Sequence, residues 1–232
     1  MYRIIITAGG SKEAIDNVRA ITNAATGTLG SKIADEFLNS YSEDIEELIY
    51  IYGVGSKLPV HEAKVRRVPV ESAVDLLDTI QRELKLSKTD IVIHSMAVSD
   101  YRVDRVLEKQ GDAYKEIDNS TKISSDIEEL AVILKKNPKV IKSIKECAPR
   151  TVLVGFKLLS NVSEKELLSV AKRLMDKNNC DFVLANDLKD IKDGKHKGYL
   201  ISKTGRKETF FDKNEIAKGI VKNCIDELGS RK

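Results

Sequence analysis

The residues of this chain that could do chemistry crowd its first hundred positions. Gly9 and Gly10 follow an apolar, β-branched opening, and a second pair, Gly27 and Gly30, stands where a helical pattern begins. Glycine permits positive φ and a close backbone approach, and a helix amino end offers free N–H groups and a favourable dipole, so the two pairs could cradle phosphate. They could equally do no more than make tight turns, because the spacing is neither a Walker loop nor G-x-G-x-x-G. Thr7, Ser11 and Thr26 tilt the balance towards an anion. Between the pairs, Arg19 and Asn23 are four residues apart. On a helical turn that spacing sets a two-donor clamp for carboxylate or phosphate beside an amide able to hold a carbonyl oxygen. Asn23, ahead of Ala-Ala-Thr-Gly, could instead cap a helix. Asp100 stands just past an apolar strand, where a carboxylate can accept hydrogen bonds from a base or ribose, or can simply cap a turn.

Such groups need a scaffold, and the composition describes one. The chain has 232 residues, 32% of them charged, with a net charge of +3, which is a solvated surface of mixed sign and not a basic stripe for nucleic acid. Its length suits one domain over residues 1–232. No apolar run approaches the roughly 20 residues a membrane span requires, and the short apolar start runs straight into glycine, so neither a span nor a signal peptide is expected and the protein reads as cytoplasmic. Cys147, Cys180 and Cys224 form no C-x-x-C pair, and His61, His94 and His196 are scattered, so neither a disulfide framework nor a protein-built metal site is expected.

β-Branched runs at 2–7, 48–52, 63–68, 90–94, 151–156 and 181–185 predict strands. Apolar residues recurring every three or four positions predict helices over 31–38, 73–84, 127–134 and 164–175. The alternation implies right-handed crossovers and an α/β fold: a doubly wound, mostly parallel, Rossmann-like sheet with helices on both faces, whose ligands sit at the strand carboxyl ends. The polar segment 102–121 lacks a clean period and predicts a flap or linker. A second irregular stretch, 189–198, leads into a β-hairpin extension over 199–202 and 208–211, of a kind that often carries dimer contacts.

Several blocks, in order, bring the chain to a family. TAGGSKEAIDNVRAITNAATGTLG resembles the TAGGT-x-E-P-I-D-P-V-R-x-I-S-N-x-S-S-G-x-x-G signature of the phosphopantothenoylcysteine synthetases (phosphopantothenate–cysteine ligases), and MAVSDY resembles their A-A-V-A-D-[WFY]. Downstream, TKISSDIEELAVILKKNPKVI is similar to K-I-K-K followed by E-L and K-N-P-D-I, VGFKLL to V-G-F-A-A-E, and DFVLANDL to D-x-I-V-A-N-D.

The resemblance implies a homodimer and a two-step reaction with Mg2+. The carboxylate of 4'-phosphopantothenate attacks the α-phosphate of CTP, or of ATP, and releases pyrophosphate; the amine of L-cysteine then displaces the nucleotide monophosphate. Such chemistry asks for charge on the transferring phosphate and few acid–base side chains. Residue by residue, the resemblance makes Asn23, Arg19 and Lys122 the catalytic set. It assigns nucleotide contacts to Gly9, Gly10, Gly27, His94, Ser95, Met96, Asp100, Lys122, Asn137, Pro138 and Phe156. Arg173 and Lys177, four apart on one helical face, match a further lysine pair only with one extra residue allowed, and read equally well as solvated helix charges.

Two departures matter. Ser124 and Ser125 stand where the family has its second and third lysines, and the acid of G-F-A-A-E is lost. The chain also shows no flavin-containing decarboxylase segment, so a stand-alone bacterial type using CTP, without flavin and with a separate decarboxylase as a possible partner, is the expectation. A dinucleotide reductase is disfavoured because no acidic residue ends a second strand about 20 residues after the glycines. A regulatory nucleotide-binding module is the non-enzymatic alternative, and the retained Asn23 and Lys122 argue against it.

Overall fold

The structure is a computed structural model that describes residues 1–192 and 195–231. In chain order its elements are β1 (Tyr2–Ala8), β2 (Lys12–Ala14), β3 (Ala20–Thr22), α1 (Thr28–Tyr41), β4 (Ile45–Gly53), β5 (Val65–Val70), α2 (Ala73–Leu86), β6 (Ile91–His94) and β7 (Tyr101–Gln110). They continue with β8 (Ala113–Ile117), β9 (Leu130–Lys136), α3 (Val140–Cys147), β10 (Val152–Leu159), α4 (Glu164–Asn178), β11 (Phe182–Asp187), β12 (Gly198–Ser202), β13 (Lys207–Phe210) and α5 (Lys213–Ser230).

The main sheet runs β13-β12-β11-β10-β6-β1-β4-β5. Its inner pairings, from β11 to β5, are parallel, and the hairpin of β12 and β13 adds two antiparallel strands at one edge. A parallel strand covered on both faces must be apolar on both, which is why β1 reads as an unbroken apolar run and is buried from Arg3 onward. Ile4, Ile6 and Ala8 pack with Ile33 and Phe37 of α1 and Ile216 and Ile220 of α5. Ile5 faces the opposite layer, with Leu76 and Ile80 of α2, Ile144 of α3 and Leu167 and Ala171 of α4. The doubly wound expectation therefore holds. Side-chain caps at Ser72, Ser163 and Asp212 start α2, α4 and α5, each accepting amides of the first turn.

The sequence reading departs from the structure in two stretches around residues 100–136. The helix expected over 127–134 is the strand β9, paired antiparallel with β7. The three- and four-residue spacing of its apolar side chains was real, but Val132 and Ile133 are β-branched and the partner strand decides the outcome. The segment 102–121 is no irregular linker: β7 and β8 form a hairpin whose two-residue turn carries Gly111 at φ 62, within a three-stranded sheet β8-β7-β9. Charged residues on both of its faces erase the alternation that normally betrays a strand. The hairpin expected at 199–202 and 208–211 is present as β12 and β13, while part of the irregular stretch 189–198 lies outside the described residues.

Two polar anchors secure the rim. At the amino ends of the strands, buried Arg3 binds Glu83 Oε2 at 2.7 Å, Thr89 Oγ1 at 2.7 Å and Glu47 Oε2 at 3.1 Å, and Arg66 reaches the same Glu83 oxygen at 2.6 Å. Removing one member of such a group strands the other charges. Glu83→Ala is expected to lower unfolding free energy by about 3 kcal/mol in urea titrations, and a loss below ~1 kcal/mol would show that Arg3 finds another partner. At the opposite rim, burial alone would raise the Asp187 carboxyl, but the amides of Val162, Lys189 and Asn161 hold it down to about 2. Because the folded value lies below the unfolded one, this contribution is complete above pH about 4 and is lost as pH falls towards 2. Asp187→Asn should flatten that limb of the stability–pH curve, and an unchanged limb would contradict the assignment.

Candidate functional site

Counting only parallel strands, β1 is flanked by β4 and β6, and the chain leaves β1 over one face through α1 but reaches β10 over the other through α3. The carboxyl ends of β1 and β6 thus border the crevice where a doubly wound sheet takes its ligand. Beyond His94 the backbone leaves the sheet and fastens to the end of β1. The Ser95 amide donates to Thr7 O at 3.1 Å and the Ser95 hydroxyl to the same oxygen at 2.6 Å. Met96 N–H donates to Thr7 Oγ1 at 3.2 Å, and Ala97 N–H to Gly9 O at 2.8 Å. Ser11 N–H returns to Ala97 O at 3.1 Å, and Ser11 Oγ accepts the Ser99 amide at 2.9 Å. Asn23 joins this loop, its Nδ2 donating to Ala97 O at 3.0 Å. Gly10, Asn23 and residues 95–97 are thereby brought together. Asn23 is not a helix cap; Gly27, at φ 72, holds that position for α1.

The glycines owe their identity to packing. A Cβ on Gly9, at φ 85, would stand 1.7 Å from Ser56 Oγ, and one on Gly27 would stand 2.9 Å from Ser56 Cβ. A Cβ on Gly53 would meet Gly10 O at 2.2 Å. The loop after β4 therefore presses into the β1–α1 turn, and its Lys57 amide donates to Thr26 O at 2.9 Å. Gly53 and Ser56 were missed by the sequence reading, although Gly-Val-Gly-Ser after an apolar strand was a visible turn signal.

Arg19 lies not on a helix but in the turn between β2 and β3, which pair antiparallel. The cause is Asp16, whose buried Oδ1 accepts the amides of Val18 at 2.8 Å and Arg19 at 2.7 Å, an Asx-type closure that competes with helix. Asp16 Oδ2 also accepts Arg19 Nε at 2.9 Å and the Ile123 amide at 3.2 Å, while Arg19 donates to Ile123 O at 2.8 Å. Burial would raise the Asp16 carboxyl, but the Arg19 and Val18 amides and the Arg19 guanidinium carry it well below the ordinary range. The carboxylate thus stays charged and fastens buried Ile123, the chain neighbour of exposed Lys122, to the Arg19 turn. Asp16 too escaped the sequence reading, despite its place in the Ile-Asp-Asn-Val-Arg run.

Asp100 is ion-paired with Lys139 at the entry to α3. Buried Asn137 donates its amide to Asp100 O at 2.8 Å and its Nδ2 to Ser99 O at 3.1 Å, and accepts Arg102 Nη1 at 3.3 Å, so the turn at Asn137 and exposed Pro138 is locked to the loop after β6. Phe156, half-buried near the carboxyl end of β10, faces the layer of α1 and α5. Arg173 and Lys177 do not join the site. α4 starts near the strand carboxyl ends, where Glu164 accepts Tyr199 Oη–H at 2.7 Å, and runs back to the opposite rim, leaving both cations exposed in its last turns. Among the described residues no group of three His, Cys, Asp or Glu could hold a metal, and no helix is long and apolar enough to cross a membrane.

Comparison with known proteins agrees with this geometry. Residues 1–228 match the family described as DNA/pantothenate metabolism flavoprotein C-terminal domain. The coenzyme A biosynthesis bifunctional protein CoaBC of Thermococcus kodakarensis is 34% identical over 187 residues, 81% of this chain and 41% of that protein. Its counterpart in Methanocaldococcus jannaschii is 32% identical over 224 residues, 94% of this chain and 49% of that protein. The chain thus spans about half the length, or less, of the curated relatives it matches. The crystal structure of the DNA/pantothenate metabolism flavoprotein from Streptococcus pneumoniae superposes with a TM-score of 0.85 at 31% identity, covering 98% of this chain and 100% of that one. With a family match over nearly its whole length and a shared sheet, the chain belongs to the family of the DNA/pantothenate metabolism flavoprotein C-terminal domain.

Proposed function

We propose that this protein joins L-cysteine to 4'-phosphopantothenate in coenzyme A biosynthesis, with CTP as co-substrate, through an acyl-cytidylate intermediate and with release of pyrophosphate and CMP. The observation that carries the proposal is that Asn23, a residue the ligase signature supplies, is bonded to the loop held by Thr7 and Gly9 at the strand carboxyl ends, while Arg19, a second, is tied by Asp16 to Ile123, the chain neighbour of Lys122. The role in coenzyme A biosynthesis for which the relatives are named supports the same reading.

A carboxylate becomes reactive towards an amine once it is joined to a phosphate, so the protein's task is to align two anions and spread charge. Asn23, fixed through Nδ2 to Ala97 O, keeps its carbonyl free at the crevice and orients the acyl group. Arg19, its guanidinium held by Asp16, neutralises a substrate anion, and Lys122 faces the triphosphate. Magnesium is a hard cation that travels with phosphates and needs only one or two protein carboxylates, and exposed Asp100 is the carboxylate at hand. ATP in place of CTP is the second reading of the nucleotide, and the run Gly155-Phe156-Lys157-Leu158, where the family's G-F-A-A-E stands, is what favours testing it. The homodimer belongs to the same proposal: Val18, Ile21, Tyr101, Tyr114 and Leu134 are large apolar residues exposed on the β2–β3 hairpin and the β7–β9 sheet, where a second copy would cover them. The reaction needs no flavin, and its setting is the cytoplasm.

Pyrophosphate release with magnesium, 4'-phosphopantothenate and cysteine, supplied with CTP or ATP in parallel, tests the proposal; no release with either nucleotide would sink it. Asn23→Asp should cut turnover about a hundredfold while nucleotide binding persists, in keeping with the loss of one oriented donor or acceptor at a reacting acyl group. Asp16→Asn should raise the KM for phosphopantothenate and nucleotide more than it lowers kcat, since it frees Arg19 and the 122–123 segment without touching the acyl site.

A further inference from the structure

Tyr50 lies on β4 opposite Ile6 of β1, and its side chain is wholly buried in the cluster of Ile4, Ile6, Ile33 and Phe37. That layer asks position 50 only for apolar volume, which a phenylalanine would supply, so the hydroxyl answers another need. Its proton goes to Lys57 O at 2.8 Å, and Gly27 O stands 3.4 Å away. Burial pushes the phenol far above its ordinary range, so it remains a donor. The other side of Lys57 is fastened as well, because its amide donates to Thr26 O at 2.9 Å. Residue 57 is thus held by amide and carbonyl against the turn that starts α1. The preceding Ser56 fills the space that Gly9 and Gly27 leave open. Farther along the same loop, Asp35 of α1 accepts the Val60 amide at 2.8 Å, and Arg67 donates to Pro59 O at 3.0 Å. Loop 54–60 is therefore a brace laid along α1, anchored near the crevice by Tyr50 and farther down the helix by Asp35.

We propose that Tyr50 is a positioning residue of the crevice, with Asp35 as its distant counterpart: the hydroxyl seats loop 54–60 against the turn before α1 and so fixes Gly9 and Gly27, while touching no ligand itself. Asn23 is fixed separately, through Ala97 O, so the brace bears on substrate binding and leaves the acyl step alone. The inference rests on the ligase reading for the ligands whose affinity is measured.

Trypsin cleavage after exposed Lys57 in the free protein tests the seating directly. Tyr50→Phe should speed it roughly three- to tenfold, the range set by one lost hydrogen bond that holds a local opening closed. An unchanged rate would overturn the proposal whatever the activity. In the pyrophosphate assay the same variant should raise the KM for CTP, for 4'-phosphopantothenate or for both by a similar roughly three- to tenfold, with kcat within about twofold. Which KM moves identifies the ligand that meets the glycine turns. Ile220→Val, which removes a methylene from the same core layer, is the control, and should cost stability while leaving both KM values as they were. Unchanged KM values in Tyr50→Phe, or equal changes in the two variants, would overturn the proposal. Should Tyr50→Phe not fold, Asp35→Ala frees the far end of the brace and should raise KM in its place. Asp35→Asn, whose amide oxygen can still accept the Val60 N–H, should restore it, and no difference between the two Asp35 variants would count against the brace. If the unaltered protein releases no pyrophosphate, the ligase reading falls by itself, and the trypsin rates alone decide this inference.

Discussion

Residues 95–99 leave the main sheet, yet their amides and carbonyls lie against its end, where a backbone group without a partner is costly. The end of β1 answers this need: Thr7 supplies both its carbonyl and its hydroxyl, Gly9 its carbonyl, and Ser11 an amide and a hydroxyl. Everything at the crevice inherits its position from that strapping. Asn23 reaches a carbonyl of the strapped loop, Asn137 reaches the next turn of it, and His94 is held by the same threonine hydroxyl. The need for glycine at Gly10 follows as well, because a side chain there would collide with the backbone of Asn23 at 2.7 Å.

A second, smaller knot lies outside the sheet. Asp16 is buried and charged, and it meets that cost by collecting amides from its own turn and from Ile123, more than a hundred positions away. One carboxylate thereby ties the β2–β3 hairpin to the segment that follows β8. Lys122 and Arg19 come from distant parts of the chain and share a location because they share this anchor.

The parts of this architecture legible in the sequence are those in which local pattern and burial agree. β1 and β11 read as continuous apolar runs because parallel strands are covered on both faces, and α2 and α4 read through their periodicity and serine caps. Gly10, Asn23, Ser95, Met96, Asp100 and Asn137, which the fold gathers at the ends of β1 and β6, are candidates chiefly through their likeness to a family and not through their spacing. What spacing suggested for Arg19 and Asn23, a shared helical face, is undone by the turn that Asp16 closes. β9 was mistaken for a helix because strand pairing, a non-local matter, outweighs a short periodic run, and β7 and β8 were invisible because neither face is apolar. Arg173 and Lys177 show the limit of matching letters: the direction in which α4 runs decides which rim they occupy.

The place of β1 in the sheet has a consequence for how the chain comes off the ribosome. β1 lies inside the sheet, and both of its neighbours come later in the chain, beginning at Ile45 and Ile91. At synthesis rates of roughly 5–20 residues per second, the segment that pairs with its second edge emerges some seconds after β1 itself. Through that interval an almost wholly apolar strand, complete with unpaired hydrogen-bonding groups, travels without its cover, held on one side at most by β4. The same inner position that makes the crevice rigid in the finished protein makes β1 a stretch of nascent chain in need of protection from other chains.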